Sequence, residues 1–177
     1  KVEKGSPDYA AAREMQAIAY MLSENSKQAE RICLELVEEG PSNVQALATL
    51  AAVYTEQGRR DESREIAIRL CGLKNLTPEE VYKVATVCCE NNLHERALEK
   101  FKELEKDIPY DGNMLYFKSV AAYNSGKIEM ALDALETLCT IYPDAAVAEY
   151  YLKAIRRYQA HPDREPKPQL TYFYRIP

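Results

Sequence analysis

Histidine occurs only twice in this sequence, at His94 and His161, and tryptophan is absent. Imidazole acid–base or metal chemistry therefore has little to draw on. His94 is expected in a turn as a solvated polar residue, and His161 at a helix end, where a cation suits the carbonyl end of the dipole. A basic excess is missing too, with 23 Lys and Arg against 28 Asp and Glu and a formal net charge of -5. That balance argues against a nucleic-acid partner, because affinity for phosphate backbones comes from cations that release counterions. It argues equally against an anionic membrane surface. No apolar run approaches the roughly 18 to 20 residues of a spanning helix. The opening KVEKGSPDY lacks the shape of a signal peptide, so a cytoplasmic protein with no membrane partner is expected. Because it begins at Lys1 rather than Met, the sequence reads as a piece of a longer chain.

Motifs that carry chemistry are lacking as well. There is no G-x-G-x-x-G, phosphate loop, G-x-S-x-G or H-E-x-x-H. The acidic pairs Glu38-Glu39, Asp61-Glu62 and Glu79-Glu80 fall at helix ends or turns, where they read as solvated surface. The five cysteines, Cys33, Cys71, Cys88, Cys89 and Cys139, are odd in number and show no C-x-x-C spacing. Neither a disulfide framework nor a zinc site is expected from them. They read as small buried hydrophobes in a reducing compartment. Adjacent helical residues such as Cys88 and Cys89 point about 100° apart, which leaves them no shared metal or disulfide. No catalytic residue, cofactor or metal is assigned, and an enzyme is not expected.

What is present is a repeat. Pro7, Pro41, Pro109 and Pro143 are separated by 34, 68 and 34 residues, with Asn75 in the skipped slot. Ala29, Ser63, Ala97 and Ala131 keep the same 34-residue step. So do Leu36, Leu70, Leu104 and Leu138; Cys33, Ala67, Phe101 and Leu135; and Ala17, Ala51, Ala85 and Ser119. A fixed period of this size decides the architecture. Small residues let two antiparallel helices approach closely, while the Leu and Phe columns recur at the three- and four-residue offsets of one helical face. Gly58 and Gly126 supply the turn between helices, a role that Glu24 and Asn92 take in the other repeats. Thr77-Pro78-Glu79-Glu80 spells a capping box, and Ser26 and Asp144 are candidate N-caps. The columns predict an all-α chain of four helical hairpins.

These columns resemble the tetratricopeptide repeat (TPR) family, whose period is 34 and whose small, aromatic and proline positions they match. Tyr20 and Tyr54 occupy that family's first-helix tyrosine position, followed by Cys88 and Ala122. The resemblance implies a right-handed superhelical solenoid, with repeats at 9–43, 44–77, 78–111 and 112–144 and a capping helix at 145–160. Residues 1–8 would end a preceding, truncated repeat, with Val2 in the Leu column, and 161–177 would form a proline-rich linker and extended tail.

The first helices of such arrays line a concave side that binds extended peptides. By resemblance this groove takes Glu14, Ile18 and Met21, then Gln45, Ala48, Ala52 and Thr55. It continues through Glu79, Tyr82, Thr86 and Cys89 to Asn113, Tyr116, Val120 and Tyr123, and finishes at Tyr150 and Arg157. Tyrosine offers a large apolar face and a hydroxyl at low entropic cost, which suits recognition. Subfamilies that clamp acidic C-terminal tails use Lys, Asn and Arg, whereas the matching positions here are Glu14, Ile18, Thr49, Glu79 and Lys83. Moving the frame by one repeat gives Ala48, Ala52, Lys83, Asn113 and Phe117, which fits no better. The implied function is a scaffold for a protein or peptide partner; a regulatory or targeting segment of a larger enzyme and a self-assembly module are the alternatives.

The end of the chain departs from the repeat. Leu170, Tyr172, Tyr174 and Ile176 alternate with Thr171, Phe173 and Arg175, a period of two in β-favouring residues. A segment this apolar needs cover. It is expected to lie extended on the tyrosine-rich surface of its own chain or of a second copy, which would make the tail, Leu170–Pro177, an internal ligand or a route to self-association; the alternative is the stub of a following, truncated domain.

Overall fold

A computed structural model describes residues 7–172, and among them every regular element is an α-helix. The helices are α1 (Pro7–Leu22), α2 (Ser26–Glu39), α3 (Val44–Glu56), α4 (Arg60–Cys71), α5 (Pro78–Glu90), α6 (His94–Leu104), α7 (Gly112–Asn124), α8 (Ile128–Ile141) and α9 (Ala146–Ala160). They fall into two compact units that meet in sequence at the Asn91–Asn92 turn. In the first unit α1 pairs with α2 and α3 with α4, while α5 lies against both α3 and α4. In the second, α7 packs on α6 and on α8, and α8 on α9.

The periodic columns are what these helices bury. Every residue of the two small-residue columns is buried, as is every residue of the Leu and Phe columns. Ser63 and Ser119, the two hydroxyls among the small residues, survive burial by donating to main-chain carbonyls, Ser63 across to that of Ala51 on α3 at 2.9 Å and Ser119 within α7 to that of Tyr116 at 2.7 Å. One core cluster in the first unit joins Ala17, Ile32, Cys33 and Leu36 to Leu50 and Tyr54.

The turn between paired helices is one chemical device used repeatedly. Glu24, Gly58 and Gly126 have positive φ, at 59°, 75° and 80°. In each case the next amide reaches back five residues: Asn25 to Tyr20, Arg59 to Tyr54 and Lys127 to Ala122, all at 2.8 Å. This is the Schellman closure, which satisfies carbonyls that the helix end leaves open. Asn92 adopts the same left-handed conformation at 56°. Asn75, in the skipped proline slot, does so at 57°.

Helix starts agree only in part with expectation. The Thr77–Glu80 capping box is present in both directions. Ser26 and Asp144 do not cap: the N-caps are Asn25 and Ala145, and neither makes a side-chain bond to the helix. Asn43 and Asp111 cap instead, accepting from the amides of Ala46 at 2.9 Å and Met114 at 2.7 Å. Pro7 and Asp8, assigned to the end of a preceding repeat, instead open α1, where the missing N–H of Pro7 costs nothing; the rest of that assignment, residues 1–6, lies outside the described residues.

The cysteines also require a correction. Cys71, the last residue of α4, and Cys88, in the last turn of α5, are joined as a disulfide across 17 residues of sequence. No short motif announces the pair, because it arises from the packing of α4 on α5. Cys33 is buried, and desolvation followed by the charge of Glu14 pushes its thiol up to about 12.

Candidate functional site

After α9 the chain reverses rather than running straight on as a stiff linker. His161 donates its amide to the Arg157 carbonyl, and the amides of Arg164 and Glu165 both return to the His161 carbonyl at 3.0 Å. Residues 166–170 then continue without regular structure. This turn brings the tail onto α7 of its own unit.

The contacts there are specific. Tyr116, Val120 and Asn124 stand four residues apart on α7 and so form one stripe along the helix. The Tyr116 hydroxyl donates to the Thr171 carbonyl at 2.7 Å, and the Asn124 amide reaches the Leu170 carbonyl at 3.5 Å. Leu170 is 5% exposed, Thr171 is exposed and Tyr172 is half-buried. Side chains therefore alternate in and out, as a strand-like segment requires. The Tyr172 hydroxyl lies 2.7 Å from Nδ1 of His94, the donor being set by the histidine tautomer. The Tyr172 ring sits between two others, its centroid 6.0 Å from that of His94 and 5.7 Å from that of Phe117. His94 is thus half-buried beneath the tail, not the solvated turn residue that the repeat alone suggests. Residues 173–177, the remainder of the expected extended tail, lie outside the described residues.

The other groove candidates divide between the units. In the first, Ile18 and Met21 on α1 are half-buried, as are Ala52 on α3 and Tyr82 and Thr86 on α5, while Ala48 is buried. A cleft in this unit is lined by Glu14, Asn43, Gln45, Glu79 and Lys83. Several of its polar groups are paired: Asn43 donates to Glu14 at 2.7 Å, Lys83 donates to Gln45, and Gln45 donates in turn to Thr49 on its own helix at 3.0 Å. In the second unit Tyr116, Val120 and Tyr123 are buried. Tyr116 stacks on Tyr151 at 6.4 Å, and Tyr151 meets Tyr150, which is 66% exposed, at 5.6 Å. Burial, and secondarily the nearby Tyr158, raises the Tyr123 phenol above its ordinary range. Its hydroxyl has no hydrogen-bond partner among the described residues.

Charged groups away from this face are structural. The Arg59 guanidinium lies 4.0 Å over the Tyr54 ring and bonds Glu30 at 2.7 Å and Glu62 at 2.9 Å. Burial alone would raise Glu30, but hydrogen bonds from Arg59 and Gln57, with the Arg59 charge, hold it below the usual carboxylate range. Arg59 lowers Glu62 in the same way. The acidic pairs do not form dyads: Glu80 serves the capping box, Glu62 pairs with Arg59, and Glu38 and Glu39 are exposed. Among the described residues no group of His, Cys, Asp or Glu is placed to hold a metal ion, and no helix is long and apolar enough to cross a membrane.

Tail contacts at His94 and Asn124 escaped the sequence reading because the family pattern places lining residues in the middle of first helices. These two stand at the beginning of α6 and the end of α7. The available signal was the tail itself, whose apolar alternation required cover, and whose Tyr172 required a partner for its hydroxyl.

No protein-family model matches this sequence, and no curated protein matches it. Solved structures do. MamA residues 41-end from Desulfovibrio magneticus RS-1 superposes with a TM-score of 0.69 at 13% identity, over 86% of this chain and 86% of that one. MamA MSR-1 gives 0.68 at 12% identity, over 86% and 87% of the two chains. YrrB, described as a TPR protein with an unusual peptide-binding site, gives 0.67 at 16% identity, over 87% and 79%. These likenesses define the class by its fold: a helical-repeat protein built from paired helices. The fold is that of a tetratricopeptide-repeat protein.

Proposed function

We propose that the chain is a non-catalytic protein–protein interaction scaffold and that it holds an extended peptide on the tyrosine-rich face of its first-type helices. One observation carries this reading. A non-helical segment, Leu170–Tyr172, lies on α7, where Tyr116 and Asn124 bond its main-chain carbonyls and His94 and Phe117 flank its aromatic side chain. Main-chain capture combined with a place for alternate side chains is the physics of extended-peptide recognition. The fold relative YrrB, described as carrying a peptide-binding site, supports it. Tyr150 is proposed to extend this surface beside α7, and within the first unit Ile18, Met21, Ala48, Ala52, Tyr82 and Thr86 are proposed as that unit's own peptide-contacting positions.

The test compares partner capture by the unmodified protein with capture by Tyr82→Ala, Tyr116→Ala and Tyr116→Phe variants. Binding should fall in each while far-UV circular dichroism stays constant. Because Tyr116 is buried against Tyr151, the Phe variant separates loss of the donor from loss of the core. If binding is lost only where helicity is lost, the rings are core residues and the face is not a binding surface.

A further inference from the structure

The resident tail shows what the face can select. The groups that Tyr116 and Asn124 hold are main-chain carbonyls, which every residue offers alike. Discrimination must then come from the side chains that turn inward. Two of the three do so. Leu170 is almost fully buried, and Tyr172 places its ring beside Phe117 and its hydroxyl against His94, while Thr171 between them faces solvent. A phenylalanine at the Tyr172 position would leave the His94 nitrogen without this partner, and a polar residue at the Leu170 position would be buried at a cost.

Resting on the peptide-binding reading above, we propose that the α6–α7 face selects extended segments of partner proteins with the pattern leucine, any residue, tyrosine, and that the chain's own Leu170–Tyr172 holds this site as a resident competitor. The occupant that displaces the tail is another protein rather than a second copy. An identical tail from a second copy meets the same pockets but must compete with one tethered at high effective concentration, so it gains nothing. A partner segment wins by making additional contacts, for which Tyr150, 66% exposed beside Tyr151 of the same unit, is available. The tail thereby sets a threshold that weak, non-specific segments do not pass.

The experiment uses the chain of residues 1–177 and a dye-labelled synthetic peptide, PKPQLTYFYRIP, corresponding to residues 166–177, with binding read by fluorescence anisotropy. Leu170→Asp in the protein unseats the tail, and Tyr172→Ala is a milder variant should the first disturb folding, which circular dichroism reports. Both should bind the peptide at least about tenfold more tightly than the unmodified protein. Against the unseated protein, a peptide carrying Leu170→Ala should lose roughly 30-fold, from the apolar area withdrawn. One carrying Tyr172→Ala should also lose affinity, and one carrying Thr171→Ala should bind unchanged. Equal affinity of the unmodified and unseated proteins overturns the resident-competitor claim. Tight binding that ignores the leucine and tyrosine replacements overturns the selection rule while leaving the peptide-binding reading intact. Absence of binding to any variant removes that reading as well. Light scattering that shows a dimer of the unmodified protein, lost in Leu170→Asp, makes the occupant a second copy and overturns the partner assignment.

Discussion

Ala97→Leu tests the repeat at its tightest point. Ala97 is fully buried on α6, and its equivalents Ala29, Ser63 and Ala131 are fully buried too, so the column has no variant larger than a hydroxymethyl. Leucine replaces a methyl with an isobutyl group where two helices cross. Neighbouring side chains must leave their rotamers or the helices must separate, and overpacking of this kind costs about 1 to 3 kcal/mol. For a chain of this length each kcal/mol moves the melting temperature by about 2 to 4 °C, so a drop of roughly 4 to 8 °C is expected at the middle of that range. Glu99→Leu serves as the control, since it adds apolar bulk to an exposed position of the same helix and should stay within about 0.5 kcal/mol of the parent. The assays are thermal denaturation, which reads the drop directly, and urea denaturation, both followed at 222 nm, with the urea slope checked for constancy so that a changed midpoint reports stability. An Ala97→Leu midpoint equal to that of Glu99→Leu would refute the reasoning, because it would mean the crossing has room.

Asn43→Ala and Asp111→Ala should each cost about 1 kcal/mol through loss of an N-cap, whereas Ser26→Ala and Asp144→Ala should cost almost nothing; thermal denaturation of the four variants checks the contrast. The raised Cys33 thiol leaves its thiolate fraction at pH 8 about a thousandfold below that of an ordinary thiol, so native Cys33 should resist alkylation that modifies it readily in denaturant. The same raised value is a stability statement: Cys33's contribution is full below pH 9.0, where the unfolded thiol titrates, and is lost as pH rises towards about 12. Over that window the denaturation midpoint should fall more in the parent than in Cys33→Val, and parallel curves would contradict the assignment. Arg59→Met removes the cation that lowers Glu30 and Glu62. These depressed carboxyls contribute stability above their unfolded range and lose it as pH falls, so the parent should be the more acid-sensitive of the two proteins between about pH 5 and 3; identical acid profiles would show the cluster to be neutral.

The fold was legible because it is written in columns. A 34-residue step of small residues, leucines and turn formers left no other period, and the buried faces of the helices follow those columns residue by residue. Thr77 and Glu80 were legible as well, because a capping box is local: donor and acceptor lie within one helical turn. Ser26 and Asp144 show where local reasoning fails. Both are good capping residues near a helix start, yet the turn geometry places Asn25 and Ala145 at the caps. Cys71 and Cys88 were misread because their meeting depends on how α4 lies on α5, which no spacing rule encodes. His94 was misread for the same reason over a longer distance, since its partner Tyr172 stands 78 residues away and arrives only because the chain turns at 162–164. The tail's need for cover could be read from its alternation; the residues that provide the cover could not.

The account stands most directly on where a peptide binds. Backbone amide spectra of the isotopically labelled protein, recorded during titration with the peptide of residues 166–177, should show shifts concentrated on α7 from Gly112 to Asn124 and at His94. The resonances of the protein's own Leu170 and Thr171 should move towards a released state as the peptide displaces them. Shifts confined to α8 or to the exposed faces of α2 and α4, or a tail unmoved at saturation, would contradict the claim that this face is the binding surface.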